Sequence, residues 1–340
     1  MWLVLQFPAL AFWQPEVGCS ARIDDIETNM SLTKVTESFE QPLEGGAIKV
    51  GGWRSALQTA VVLFKLRIVF LLLMAATGGA FLAAGGWPGW GVLLLTWLTG
   101  GMAAAGASSL NQYWERQRDG LMGRTRSRPL VNGDITDPGW VPWVGLGLIL
   151  APVLAVAWFN RPLAFFLALG AFIYVGIYTI WLKPRTLLNI VIGGAAGSAA
   201  VLSGSAAAGF WNAPGALALA AILFLWTPFH FWSLAILYRD EYQRADVPML
   251  PTQTTPQKAA WWVMSHTLPT GLLSLLMVTL PGLGWIFFLP VLAITIDLFY
   301  RNVQLIRDPS PLNARKLFMS SNYYLLVLLL AICVDLALPW

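Results

Sequence analysis

The sequence repeats one feature along most of its length: apolar stretches long enough to cross a lipid bilayer. A hydrocarbon core of about 30 Å needs roughly 20 residues of helix, and a single spanning segment satisfies its backbone polar groups only as a helix. Of the 340 residues, 57% are hydrophobic and 11% are charged, a balance that a soluble domain of this size does not need. The predicted spans are residues 62–84, 90–110, 139–159, 162–182, 187–210, 215–237, 260–280, 282–300 and 322–339.

The predicted fold class is therefore an all-α polytopic membrane protein with about nine transmembrane helices. We expect two parts, an N-terminal cytoplasmic segment of residues 1–55 and a transmembrane domain of residues 56–340. Within the first part, residues 1–29 begin with an apolar stretch too short to span a membrane. They are either an extension upstream of a translation start at Met30 or a peripheral hairpin lying on the membrane.

Basic residues mark one side of the predicted bundle. Of the 21 Lys and Arg, only Arg161 falls in a loop on the other side. Loops rich in Lys and Arg face the cytoplasm, so we expect the N-terminus to be cytoplasmic and the C-terminus to be outside. The net charge of +4 then reflects membrane topology, and we expect no nucleic-acid partner.

A polar segment follows the second predicted span and carries three oxygen-bearing side chains at helical spacing. Asn111, Glu115 and Asp119 stand at positions i, i+4 and i+8, so they share one face if the helix continues through them. Such oxygens suit Mg²⁺, which bridges protein oxygens to those of a phosphate ligand. Arg124 and Arg128 follow, and their planar guanidinium groups bind phosphate oxygens in pairs. The segment is either a diphosphate–metal site or a solvated loop beside the membrane.

Two further segments on the same predicted side carry cations and acids. Lys183 and Arg185 close the fourth span, where they serve either as anchors of the positive side or as ligands of an anion. Asp240, Glu241 and Asp246 follow the sixth span and form a second acidic cluster. Two acidic clusters and several cations at one end of a helical bundle predict a cavity that opens to the cytoplasm and holds a polyanion with metal ions.

One of the two histidines, His230, lies within the sixth predicted span beside Pro228. A lone buried histidine is commonly a packing residue. Within lipid, however, an ionisable side chain is costly and often marks function. Both interpretations remain open from the residues alone.

These segments resemble the UbiA superfamily of intramembrane prenyltransferases, and within it the heme O synthase branch. The superfamily pattern Asn-x-x-x-Asp-x-x-x-Asp is similar to Asn111, Glu115 and Asp119. The other similar runs, in the expected order, are Met122 to Pro129, Tyr178-Thr179, Leu182-Lys183, Arg185-Thr186, Asn189 to Gly194, Trp226 to Trp232 and Pro248 to Pro251.

The resemblance implies transfer of a farnesyl group from farnesyl diphosphate to a vinyl group of heme b, with Mg²⁺ as cofactor. The catalytic residues that it implies are Asn111, Glu115, Asp119, Arg124 and Lys183. The diphosphate and metal site would add Arg128, Arg185, Asp240 and Glu241, with Glu115, Asp119 and Glu241 on the metal. His230 and Trp232 would contact heme, with His230 as an iron ligand.

The chain departs from the heme branch at several positions. Glu115 replaces an Asp but keeps its charge, so we expect metal binding to survive. Gln117 stands where the branch commonly carries another Asp, and Leu66 and Phe229 replace prolines. Asp246 falls where a neutral residue is more common. These departures leave the resemblance to the superfamily intact.

Three alternative functions remain at this point. The first is a related enzyme that acts on a quinone or chlorin acceptor, and the second is a non-catalytic relative that binds heme or a prenyl lipid. A transporter is the third, but the charges gather on one face instead of at mid-membrane in opposed repeats. For the heme prenyltransferase, the expected setting is the bacterial inner membrane, with a heme A synthase downstream as a further partner.

Overall fold

The computed structural model describes residues 52–338. The regular secondary structure of these residues is helical and includes no strand, as the predicted fold class requires. The helices are α1 (Trp53–Leu63), α2 (Leu66–Ala84), α3 (Trp90–Asp119), α4 (Val141–Ala157), α5 (Arg161–Phe172), α6 (Asn189–Gly193), α7 (Ala195–Ala207), α8 (Pro214–Leu237), α9 (Arg239–Arg244), α10 (Leu250–Gln253), α11 (Pro256–Leu276), α12 (Trp285–Arg307) and α13 (Pro311–Ala337). A π-helix, Ile173–Leu182, continues α5. The predicted segment 1–55, with its extension 1–29, lies outside the described residues up to residue 51.

Eight segments of the described chain are long and apolar enough to cross a membrane, and they match eight of the predicted spans. The remaining predicted span, 260–280, corresponds to α11, which is not among the eight. α11 nevertheless runs between the same two ends of the bundle. Near its start, Gln257 donates to the Ile306 carbonyl at the end of α12. Beyond its end, a Cβ added to Gly282 would lie 3.9 Å from the Gly85 carbonyl oxygen. The count of nine spans stays a prediction.

Three polar side chains in the middle of α11, Thr267, Thr270 and Ser274, lower its hydropathy and face the interior of the bundle. Thr267 and Ser274 are fully buried. Asn302 of α12 donates to Thr267 Oγ1 at 2.7 Å, and the Tyr324 hydroxyl of α13 contacts Ser274 Oγ. Hydrogen bonds of this kind hold helices together in lipid. A long helix whose polar side chains bond to neighbouring helices is therefore missed when membrane spans are counted from hydropathy alone.

Side-chain caps fix where the last helix begins. Ser310 accepts a hydrogen bond from the Asn313 amide at 3.5 Å, and Pro311 occupies the first turn, where its missing N–H costs nothing. α13 therefore starts at Pro311, and the predicted start of the last span at residue 322 is wrong by several turns. The polar first half of this helix extends beyond the apolar stretch that suggested the span.

Two glycines set the close contact between α2 and α7. A Cβ added to Gly204 would lie 1.8 Å from the Ala76 carbonyl oxygen, and one added to Gly79 would lie 2.1 Å from the Val201 carbonyl oxygen. No side chain fits in either position. The backbones thus approach as closely as small residues allow, as expected for helices in lipid.

The chemically active side chains gather at one end of the bundle, here called the site end and defined by Lys65, Asp119 and Lys183. α2 begins at the site end, whereas α3 and the π-helix end there. The opposite end is marked by Gly284 and Asp335, where the Gly284 amide donates to Asp335 Oδ2 at 2.5 Å. Every other loop therefore returns to the site end, which brings distant parts of the sequence together.

Candidate active site

The central element of the site is the last part of α3. This helix continues past the predicted end of the span, residue 110, to Asp119. Asn111, Glu115 and Asp119 consequently lie on one face, and each is at most 5% exposed. Two carboxylates and an amide are thus buried together at the site end.

Each of these carboxylates is paired with a cation from another element. Lys183 Nζ, just after the π-helix, lies 2.6 Å from Glu115 Oε1. Arg128, in the loop after α3, pairs with Asp119 Oδ2. Within residues 52–338 the second oxygens, Glu115 Oε2 and Asp119 Oδ1, accept no hydrogen bond. The pairing satisfies half of each carboxylate and leaves the other half available to a ligand.

Asn111 organises the site through both ends of its amide. Its Oδ1 accepts from Lys65 Nζ at 2.5 Å, and its Nδ2 donates to Thr179 Oγ1 at 2.9 Å. Lys65 Nζ also donates to the Tyr174 hydroxyl at 3.2 Å. The amide oxygen that the sequence analysis assigns to the diphosphate and metal site therefore accepts a hydrogen bond from a lysine.

Lys65 and Tyr174 are site residues that the sequence analysis missed. Lys65 stands between α1 and α2 with φ +49°, a backbone conformation that is uncommon for a residue other than glycine. Burial, and after it the neighbouring Arg128, lower the pKa of Lys65 to about 7. A lysine between two apolar stretches was the only signal in the sequence, and it does not distinguish this role from that of a membrane anchor.

The π-helix explains how Tyr174, Tyr178 and Lys183 come to face α3. In its i→i+5 pattern the Lys183 amide donates to the Tyr178 carbonyl at 2.9 Å, so each turn holds an extra residue. The two tyrosine rings stack with centroids 5.9 Å apart, and Lys183 Nζ lies 5.6 Å from the Tyr178 ring centroid. Gly193 makes room for this ring, because a Cβ there would lie 2.8 Å from Tyr178 Cδ2.

The second acidic cluster lies on α9, next to the loop that follows α3. The Arg124 amide donates to Glu241 Oε2 at 3.5 Å, while the Arg124 side chain is exposed. Asp240 and Glu241 line a cavity of about 360 Å³ together with Arg239 and Arg244. In the described chain no three His, Cys, Asp or Glu side chains form a group that could hold a metal ion. The structure therefore does not assemble the predicted trio of Glu115, Asp119 and Glu241.

Arg185 has a different position from the one predicted. Its guanidinium donates to the Ile180 and Trp181 carbonyl oxygens at 3.1 and 2.7 Å. These carbonyls belong to the last turn of the π-helix, which has no further helical partners to offer them. Arg185 thus caps this helix and makes no ion pair with α3, so its predicted contact with a diphosphate is not supported by its position.

His230 lies inside α8, which Pro228 does not interrupt. Its ring is sandwiched between Trp226 of the same helix and Phe318 of α13, at centroid distances of 4.1 and 4.6 Å. His230 Nδ1 lies 2.7 Å from Ser321 Oγ. The side chain is thus held in one orientation by two rings and one hydrogen bond.

The predicted contact of Trp232 with heme is not supported by its position, because its side chain does not share a helix face with that of His230. Two residues apart on an α-helix, the side chains diverge by about 200°. Trp232 is 2% exposed and packs edge-on against His266 of α11, with centroids 4.9 Å apart. Trp232 therefore belongs to the core between α8 and α11.

The donor atoms at the end of α3 fit a hard divalent cation. Glu115 and Asp119 each keep one carboxylate oxygen without a hydrogen bond from the described residues, and carboxylate oxygens are the ligands that Mg²⁺ prefers. Two protein carboxylates are also enough, because Mg²⁺ in such sites completes its shell with water and phosphate oxygens.

Residues 71–328 match the model of the UbiA prenyltransferase family. The chain belongs to the UbiA prenyltransferase family. Among its relatives, a protoheme IX farnesyltransferase 2 of Paramagnetospirillum magneticum is 38% identical over 284 residues, which cover 82% of this chain and 97% of that protein.

Solved structures of UbiA proteins share the fold. A digeranylgeranylglyceryl phosphate synthase aligns with a TM-score of 0.69 at 17% identity, over 82% of this chain and 98% of that one. A UbiA homologue from Archaeoglobus fulgidus, solved with DMAPP and Mg²⁺, aligns with a TM-score of 0.57 at 15% identity, over 81% of this chain and 99% of that one. Together, the family match, the relatives and the eight apolar helices make the chain an integral membrane prenyltransferase.

Proposed function

We propose that this UbiA family member transfers a farnesyl group from farnesyl diphosphate to a vinyl group of heme b, giving heme O. The observation that carries the proposal is the pair of buried ion pairs at the end of α3, Glu115 with Lys183 and Asp119 with Arg128. The choice of acceptor rests on the likeness to protoheme IX farnesyltransferases over 82% of the chain. A quinone or chlorin acceptor has no comparable support.

The ion pairs suit a site that receives a metal and a polyanion together. A diphosphate would attract Lys183 and Arg128, and the carboxylates that they release would be free for the metal. Glu115 and Asp119 would then hold Mg²⁺. Asn111, whose amide is held by Lys65 and Thr179, would line the cavity next to them. Bound Mg²⁺ supplies positive charge that stabilises the diphosphate as it departs.

Lys183 would lie beside the leaving group and stabilise its developing charge, and we assign the same role to the exposed side chain of Arg124. As the C–O bond of the donor breaks, the electron pair leaves with the diphosphate and an allylic cation remains. The stacked rings of Tyr174 and Tyr178 lie beside Lys183 and would shield the cation from water. Asp240 and Glu241 of the second acidic cluster would hold a further metal ion at the outer side of the diphosphate.

The vinyl group of heme attacks the allylic cation and forms the new carbon–carbon bond. The positive charge moves to the carbon next to the porphyrin ring, where water adds and releases a proton. The product carries a hydroxyethylfarnesyl side chain, and diphosphate and one proton are the other products. His230 would hold the acceptor, since it is the histidine buried within α8.

The proposed setting is the bacterial inner membrane, with the site end facing the cytoplasm. The basic loops 120–137, 183–188 and 238–255 all lie at this end, and loops rich in Lys and Arg stay in the cytoplasm. A heme A synthase would take over the product, and no nucleic acid is involved.

A double variant tests the role of the carboxylates. Glu115→Gln with Asp119→Asn keeps the size of both side chains and removes the charges that hold the metal, so we expect no heme O to form while heme b still binds. The control is Asp134→Asn with Asp308→Asn, which removes the same charge from exposed positions at the same end. Product formation by the first variant at the rate of this control would refute the metal assignment.

A further inference from the structure

Ser321 links α13 to α8 through both its side chain and its backbone. Its hydroxyl lies 2.7 Å from His230 Nδ1, and its carbonyl oxygen accepts from Trp226 Nε1 at 2.9 Å. Ser321 is completely buried. The residue therefore has a fixed position relative to the histidine, in a sandwich that leaves the ring no room to turn.

The hydroxyl of Ser321 has one proton and two acceptors within reach. It donates to the Phe318 carbonyl oxygen at 2.7 Å, in the back-bonded geometry that serine adopts within helices. When its proton is donated there, the hydroxyl accepts from His230, and Nδ1 carries the hydrogen. In a neutral imidazole the other nitrogen, Nε2, then holds a lone pair.

Nε2 has no hydrogen-bond partner among residues 52–338. Nε2 is not among the fully buried polar atoms that lack a partner, so it faces space that a ligand can enter. A lone pair there is the form that binds a metal ion, and the partner of the other ring nitrogen usually decides which form is present.

We infer that Ser321 is a positioning residue that holds His230 as the Nδ1–H tautomer and thereby presents the Nε2 lone pair to the iron of the heme acceptor. The iron ligation rests on the proposed function, whereas the tautomer is a property of the protein alone. The two parts are tested separately.

The tautomer is measured by nitrogen NMR of the heme-free protein labelled with ¹⁵N-histidine. The chain has only 2 histidines, and His266→Gln removes the second set of signals. We expect a protonated Nδ1 and an unprotonated Nε2 for His230, and a mixture of tautomers in Ser321→Ala. Ser320→Ala is the matched control, because the neighbouring hydroxyl donates to Asp297 Oδ2 at 2.7 Å and not to a histidine. A protonated Nε2 in the unmodified protein, or an unchanged spectrum in Ser321→Ala, overturns the inference.

The iron ligation is measured by heme titration and the Soret spectrum. Loss of a partner of this kind commonly weakens metal binding about tenfold, so we expect that loss in Ser321→Ala and none in Ser320→Ala. If the tautomer is as expected but neither Ser321→Ala nor His230→Ala changes the heme spectrum, His230 is not the ligand. If both expectations hold and no heme O forms, the proposed function fails and the positioning role of Ser321 stands.

Discussion

Lys183 Nζ lies 2.6 Å from Glu115 Oε1, so a cation at the end of the π-helix neutralises a buried carboxylate on α3. The two residues are far apart in sequence, and Glu115 is only 5% exposed. A buried pair of this kind contributes little net stability, but removing one partner leaves an uncompensated charge. Removal of either partner should therefore affect both the stability of the site end and the activity of the enzyme.

Lys183→Met is expected to lower both stability and activity, whereas adding Glu115→Gln to it should restore stability alone. The single variant leaves the Glu115 charge unpaired, at a cost of about 3–5 kcal/mol. Loss of a charge beside the leaving group should reduce kcat by about 10²–10³-fold in both variants. Thermal melting in detergent and heme O formation give the two readouts.

Lys316→Met, which removes an exposed lysine of α13, is the control for this series. Equal melting temperatures of Lys183→Met and the double variant would show that the pair does not carry the buried charge.

Arg128→Gln is expected to raise KM for farnesyl diphosphate about tenfold, because a hydrogen bond to a charged group contributes about 1.5–3 kcal/mol. The KM of Arg128→Lys should lie between those of the unmodified enzyme and Arg128→Gln, since an ammonium group keeps the charge and loses the bidentate geometry. Arg126→Gln is the matched control, as this exposed arginine of the same loop forms no ion pair within the described residues. If Arg128→Gln has the same KM for farnesyl diphosphate as Arg126→Gln, Arg128 does not bind the donor.

Gly204→Ala is expected to lower the melting temperature, whereas Gly91→Ala should leave it unchanged or raise it. A Cβ at position 204 would meet the Ala76 carbonyl at 1.8 Å and force α2 and α7 apart, which costs about 1–3 kcal/mol or more. Around Gly91 nothing lies within 4 Å, so alanine there gains only helix propensity. Similar melting temperatures for the two variants would contradict the tight contact.

Trp232→Phe is expected to destabilise the protein by about 1–3 kcal/mol and to leave the heme spectrum unchanged. The indole is buried against His266, and its Nε1 has no hydrogen-bond partner in the described part of the chain, so the loss is one of packing. If Trp232→Phe alters the heme spectrum as strongly as His230→Ala does, Trp232 contacts the heme.

The sequence predicts most of the spans and one side of the site, because both depend on local regularities. Apolar length identifies the helices, and the period of an α-helix places Asn111, Glu115 and Asp119 on one face once α3 continues to Asp119. The last span was harder to predict, since the first half of α13 is polar and its start depends on the cap at Ser310.

What the sequence does not predict depends on tertiary contacts. Lys65 reaches Asn111 only because α2 and α3 meet at the site end, and the π-helix that aligns Tyr174 with Lys183 has no recognisable pattern of residues. The sequence also does not predict that Trp232 packs against α11, because residues of one sequence motif need not share a helix face.

Transfer of a farnesyl group to heme is tested most directly by the mass of the heme extracted after the purified membrane protein is incubated with heme b, farnesyl diphosphate and Mg²⁺. We expect a product heavier than heme b by one farnesyl group and one water, formed only when all three are present. Unaltered heme, recovered from protein that is folded and has heme bound, would contradict the proposed reaction.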